Sequence, residues 1–141
     1  MSEGNERDRL LAELVRLSPM PPDEDLTPEL LEDYGRIVDA LANCADETCI
    51  RPLIDSLGYG DGYESYWPVI HLLERLPRAR LREELYLGLR SRNAGSRMWA
   101  AYMLGRQRQR EDSEVLRGLL NDPMEGVREH VALALKMLAE S

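Results

Sequence analysis

Apolar residues recur at every third or fourth position along almost the whole chain, with charged residues between them. That is the period of a helix buried on one face. Leu10, Leu11, Leu14, Val15 and Leu17 form the first such stripe, over residues 5–18. Ser18-Pro19-Met20-Pro21-Pro22 interrupts it, and Asp23-Glu24-Asp25 keeps the connection wet. A proline inside a helix loses a hydrogen bond and clashes with the preceding turn, so this run ends the helix. Thr27-Pro28 then reads as a restart: a hydroxyl to cap the first free N–H groups, followed by proline at the first helical position. The stripe Leu30, Leu31, Tyr34, Ile37, Val38 and Leu41 predicts a helix to about residue 42. Further helices are predicted at 46–58 (Ile50, Leu53, Ile54, Leu57), from 63–66 to Leu76-Pro77 (Trp67, Ile70, Leu72, Leu73), and at 78–91 (Leu81, Leu85, Leu87, Leu89). The same pattern predicts 96–107 (Met98, Trp99, Ala101, Tyr102, Leu104), 111–121 (Val115, Leu116, Leu119, Leu120) and 123–139 (Val127, Val131, Ala132, Leu135, Leu138). Asn121-Asp122-Pro123 with Glu125 is expected to cap the last of these. Period-2 runs of β-branched residues are scarce, so no strand is predicted.

The stripes also repeat. Trp67-Pro68-Val69-Ile70 lies over Trp99-Ala100-Ala101-Tyr102 at an offset of 32, and Arg97 lies over Arg128 at an offset of 31. Stepping back 32 from Trp67 reaches Gly35, so that Ile37-Val38 underlies Val69-Ile70. A helix pair cannot bury both of its faces alone, so a pair recurring at constant spacing predicts stacking of each pair on the next. The expected fold is all-α, an α-solenoid of stacked antiparallel helix pairs in one domain, 1–141. Residues 1–26 would supply an N-terminal helix and acidic linker, and 27–141 about four pairs, the last incomplete.

Composition narrows the function classes. The net charge is −8, but residues 1–70 hold 16 acids and 5 bases while residues 71–141 hold 10 acids and 13 bases. An acidic chain is a poor general binder of phosphate backbones, so nucleic acid is disfavoured as a partner. The arginines between Arg75 and Arg110 read instead as a solvated face that pairs with nearby acids. No apolar run is long enough to cross a bilayer, and the polar stretch Met1–Arg9 has no apolar core of the kind an export signal needs. The expected location is therefore the cytoplasm. Cys44 and Cys49 are read as reduced, partly buried thiols, since two cysteines and two histidines make neither a disulfide framework nor a metal centre.

Chemistry is thin. No nucleophile carries a base motif, and Gly58-Tyr59-Gly60-Asp61-Gly62 lacks the lysine and preceding strand of a phosphate loop. The adjacent acids Glu83-Glu84 and Glu111-Asp112 splay apart on a helix and read as solvated faces. His71 reads as a partly buried histidine bonded to backbone or to Glu74. No catalytic, metal or cofactor residue is assigned, and catalysis is not expected. What stands out is an aromatic and acidic cluster: Asp55, Tyr59, Asp61, Tyr63, Glu64, Tyr66 and Trp67. Aromatics are enriched where proteins bind one another, and acids steer a cationic partner. These seven residues are the predicted partner-binding set, with Tyr59 and Tyr63 exposed and Trp67 and Trp99 largely in the core.

Two resemblances follow from these residues. Asp122-Pro123-Met124-Glu125-Gly126-Val127-Arg128 with Val131-Ala132-Leu133-Ala134-Leu135, and Ser96-Arg97-Met98-Trp99-Ala100-Ala101-Tyr102-Met103-Leu104-Gly105, resemble HEAT repeats. That likeness is good over 93–139 and loose over 27–92, and it implies a protein-binding module such as a scaffold or adaptor in a regulatory complex. The stretch Asp61-Gly62-Tyr63-Glu64-Ser65-Tyr66-Trp67-Pro68-Val69-Ile70-His71-Leu72-Leu73-Glu74, with Trp99 following, resembles small bacterial immunity proteins. That resemblance implies a cytoplasmic protein that binds a toxin domain and neutralises it sterically, with no cofactor.

Overall fold

The computed structural model describes residues 3–141; Met1 and Ser2, the start of the polar N-terminal stretch, lie outside the described residues. Eight α-helices are present and no strand occurs among the described residues. They are α1 (Glu3–Leu17), α2 (Pro28–Leu41), α3 (Ile50–Ser56), α4 (Trp67–Glu74), α5 (Arg78–Gly88), α6 (Ala94–Gln107), α7 (Ser113–Arg117) and α8 (Glu125–Ala139). The expected start of α2 is realised: Thr27 Oγ1 accepts from the Leu30 amide at 3.1 Å, and Pro28 takes the first helical position. α6 begins two residues earlier than the pattern predicts, because Asn93 Oδ1 accepts from the Gly95 amide at 3.1 Å and caps it.

Two boundaries differ more. The helix predicted at 111–121 is a 3-10 turn, Arg110–Asp112, followed by the five residues of α7. The predicted cap of the last helix is also absent. Met124 occupies the cap position of α8 without a side-chain bond, and Glu125 is the first helical residue rather than the third. Asp122 has a different task. Its carboxylate accepts from the Met124 amide at 2.9 Å and takes both nitrogens of the Arg97 fork at 2.8 and 3.1 Å.

α1 packs against α2 and α3, α3 against α5, α2 against α4, and α5 against α6, with the most extensive contact between α6 and α8. That last approach is close because Gly105 has no side chain: a Cβ there would lie 2.7 Å from Ala134 Cα. A file of aromatic rings runs from α2 past the residue that precedes α4 to α6 and α8. Tyr34 meets Tyr66 edge-on at 5.8 Å, Tyr66 meets Trp99 at 6.0 Å, and Trp99 meets His130 at 5.6 Å. Edge-to-face rings at this distance contribute roughly 0.5–1.5 kcal/mol each beyond simple burial.

The acids do not behave as their spacing suggests. Glu84 is 5% exposed and receives a two-pronged bond from Arg51 at 2.8 and 3.1 Å. Asp112 is fully buried and is held by Arg82 at 2.8 and 3.0 Å and by the Tyr86 hydroxyl. The solvated-face reading is therefore wrong for one acid of each pair. Each has a guanidinium brought to it from about thirty residues away, which makes burial of the charge tolerable.

Burial raises the pKa of Asp122, but the Arg97 fork, the Met124 amide and the charges of Arg97 and Arg128 outweigh it, so the carboxyl sits below the usual range. A carboxyl whose folded pKa is depressed contributes stability above its unfolded value, about 3.9, and loses it as pH falls through the folded value. Asp122→Asn should accordingly melt below the wild type at neutral pH, and the gap should narrow as the pH drops below 4. Melting curves of both proteins across pH 2–7 check this; a gap independent of pH would remove the assignment.

Candidate partner-binding surface

The connection between α3 and α4 is built around unusual backbone. Gly60 (φ 126°) and Gly62 (φ 60°) occupy the left-handed half of conformational space, and so do Tyr63 (φ 51°) and Glu64 (φ 71°). The last two are not glycines, so holding them there costs about 1–3 kcal/mol each. The linker before α2 supplies the restraint. Asp23 accepts from the Asp61 amide at 3.2 Å and the Gly62 amide at 3.0 Å, and the Tyr63 hydroxyl donates to the Asp23 carbonyl at 3.4 Å. Asp61 itself accepts from the Tyr63 amide at 2.9 Å. The consequence is an aromatic ring fixed in water, since Tyr63 is 63% exposed between two exposed acids, Asp61 and Glu64.

The seven predicted contact residues divide accordingly. Asp61, Tyr63 and Glu64 share this turn and face solvent. Tyr59 is half-buried, and its hydroxyl accepts from the Gly126 amide at 2.6 Å, which ties the loop to the start of α8. Tyr66 is a correction: its ring is fully buried between Tyr34 and Trp99, so it supports the turn from beneath and offers no contact area. Burial pushes its hydroxyl up to about 12. Trp67 is half-buried, edge-on to Trp99 at 6.0 Å and to Tyr102 at 5.8 Å. Trp99 is in the core, as expected. His71 is exposed and lies 6.2 Å from the Trp67 ring; it does not bond Glu74, which Arg106 holds at 2.7 and 2.9 Å.

Asp55 is exposed but belongs to a different feature, a groove of about 400 Å3. The groove is lined by Val15 in the last turn of α1, by Ser18 and Pro19 just after it, by Pro52 and Asp55 of α3, and by Ser91, Arg92 and Asn93 before α6. A smaller recess of about 140 Å3 shares Asp55 and Ser91 with it and is also lined by Arg51, Glu84 and Leu87. Sequence reasoning missed this groove because its lining comes from segments up to nearly eighty residues apart. One signal was available. The apolar stripe of α1 is wider than one packed face needs, and its surplus member, Val15, is 59% exposed at the groove. Leu87, also placed on a buried stripe by its spacing, is 46% exposed beside the recess.

Cys44 and Cys49 are buried and are not joined by a disulfide, and burial raises the Cys49 thiol. Among the described residues no group of three or more His, Cys, Asp or Glu side chains is placed to hold a metal ion, and no helix is long and apolar enough to cross a membrane.

Comparison with protein-family models, with curated proteins and with solved structures finds no match. The chain offers an acidic turn held by hydrogen bonds and carrying an exposed tyrosine, and a groove lined in part by Asp55.

Proposed function

We propose that this chain is a HEAT-like stack of antiparallel helix pairs that acts in the bacterial cytoplasm as an immunity protein, binding a cationic toxin domain and covering its active surface. The stacking is supported by recurrence in space at the period seen in sequence. The rings of Tyr34, Tyr66, Trp99 and His130 touch in succession. Arg51–Glu84, Arg82–Asp112 and Arg106–Glu74 each bridge about one period, and the packing of α1 on α3 and α3 on α5 supports a second layer.

The observation that carries the binding role is the turn Asp61-Gly62-Tyr63-Glu64. Backbone strain persists only where surrounding contacts impose it, and here it presents one aromatic and two carboxylates without the freedom to collapse. A preorganised aromatic is what a binding hot spot needs, and the acids would steer a basic partner toward it. Inhibition is steric and requires no cofactor.

The test is co-expression with the product of the adjacent gene. Growth should be protected, and the two proteins should form a stable complex. The turn is probed with Asp61→Asn, which keeps the oxygen that accepts from Tyr63, together with Glu64→Lys. Association should slow by about tenfold at low salt and lose much of its salt dependence, with melting nearly unchanged. Complex formation with a harmless partner and no protection of growth would favour the adaptor role instead. An unchanged association rate would move the contact off this turn.

A further inference from the structure

We propose that the groove beside Asp55 receives one basic side chain of the partner, arginine or lysine, with its alkyl stem on Val15, Pro19 and Pro52 and its cationic head on the Asp55 carboxylate. This rests on the protein-binding role proposed above and adds a second, chemically distinct point of contact.

Two charges beside the groove are already matched to each other. Glu84, next along the groove, is closed by both prongs of Arg51. Arg51 is therefore committed and reaches Asp55 only as a field. No hydrogen bond reaches the Asp55 carboxylate; the contact made by this residue is through its backbone carbonyl, which accepts from Asn93 at 3.4 Å. The uncharged polar lining residues are turned inward. Ser18 donates to the Leu14 carbonyl at 2.7 Å, Ser91 accepts from the Asn93 amide at 3.0 Å, and Asn93 donates to the Leu57 carbonyl at 2.7 Å. What remains facing the groove is apolar surface, the uncommitted Asp55 carboxylate and the exposed cation of Arg92.

Long basic side chains suit that combination, because their stems bury well on apolar surface while the head seeks a carboxylate. Partial burial raises the Asp55 carboxyl above its ordinary value, with the Arg51 field opposing and the Glu84 charge adding. An arriving cation relieves that penalty, which a neutral side chain cannot do. Arg92, which also lines the groove, sets the specificity. Its exposed cation disfavours a second positive charge nearby, so a segment with a single basic residue among apolar ones fits better than a polybasic run.

Titration of the full-length, isotope-labelled protein with capped Leu-Arg-Leu, Leu-Lys-Leu and Leu-citrulline-Leu peptides tests this by amide chemical shifts. The two basic peptides should shift the amides of Val15, Asp55 and residues 91–93 with a saturating curve. The citrulline peptide, which keeps the shape and loses the charge, should bind at least tenfold more weakly, and Asp55→Asn should weaken the basic peptides by a similar factor. Equal binding by the Asp55→Asn protein, equal binding of the citrulline peptide, shifts confined to 61–64, or no shift at millimolar peptide would each overturn the proposal. The two readings fail separately. If the groove is wrong and the immunity role right, the Asp55→Asn protein protects growth and binds the toxin as the wild type does. If the groove is right and the immunity role wrong, the peptides bind at Asp55 and no growth protection is seen.

Discussion

Gly95→Ala is expected to lower the melting temperature by about 10 °C, the largest effect of any single methyl group added to this fold. Gly95 sits in the first turn of α6, where the chain leaving α3 crosses it. A Cβ there would lie 2.3 Å from the Leu57 carbonyl oxygen and 2.4 Å from the Gly58 carbonyl carbon. Both are backbone atoms, so no rotamer change relieves the clash, and either α6 or the 57–58 segment must move. Overpacking in a well-packed interior typically costs 1–3 kcal/mol and occasionally more, and a backbone-on-backbone clash belongs at the upper end, about 3 kcal/mol. The displaced segment leads directly into the turn that carries Tyr63, so partner binding should weaken with stability. Gly35→Ala is the control. A Cβ at Gly35 meets nothing within 4 Å, and the site is inside α2. There alanine removes a helix penalty and should stabilise by roughly 0.5–1 kcal/mol. Thermal unfolding of the two variants followed by circular dichroism should therefore move in opposite directions; two shifts of the same sign would refute the packing argument.

Asp112→Ala is expected to destabilise by about 3 kcal/mol, and Glu74→Ala by less than about 1 kcal/mol, although each removes an acid bonded to a fork of arginine nitrogens. Burial decides the difference. Asp112 is fully buried and satisfies Arg82 and the Tyr86 hydroxyl together, and Arg82 otherwise donates to Gln107 at 2.6 Å and lies over the Tyr86 ring at 5.8 Å. Removing the acid strands a partly buried guanidinium. Glu74 and Arg106 are both about one-third exposed, so water replaces either partner when the other is lost. A companion test follows from the same reasoning. Arg82→Met combined with Asp112→Leu should cost less than Asp112→Ala alone, because no uncompensated charge remains inside. Urea unfolding with a common slope compares all four proteins; equal losses for Asp112→Ala and Glu74→Ala would show that the buried bridge contributes no more than the surface one.

The candidate surface was half legible. Asp61, Tyr63 and Glu64 face solvent, as glycines beside aromatics and acids predict for a turn, but Tyr59, expected to be exposed for the same reason, is half-buried against the start of α8. Tyr66 was misplaced because it lies in the same cluster, yet it stands immediately before α4 and its ring fills the space between Tyr34 and Trp99. Three residues of sequence separate the most exposed tyrosine of this segment from its most buried one, and no composition window that short can tell them apart.

Helical content and the positions of most helices follow from the sequence by itself, because helical periodicity, the Thr27-Pro28 cap and the Pro-rich breaks act within a few residues of one another. The repeat spacing was readable for the same reason, as a local pattern seen again 31 or 32 positions later. Only the tertiary structure decided that Glu84 and Asp112 lie inside and that Val15 lies outside. It alone decided that Asp55 lines a groove with Val15 and Asn93 and that Asp122 holds Arg97 instead of capping α8. Each of these depends on a partner 25 or more residues away, and the free energy of a charged or apolar side chain is set by whatever surrounds it in space.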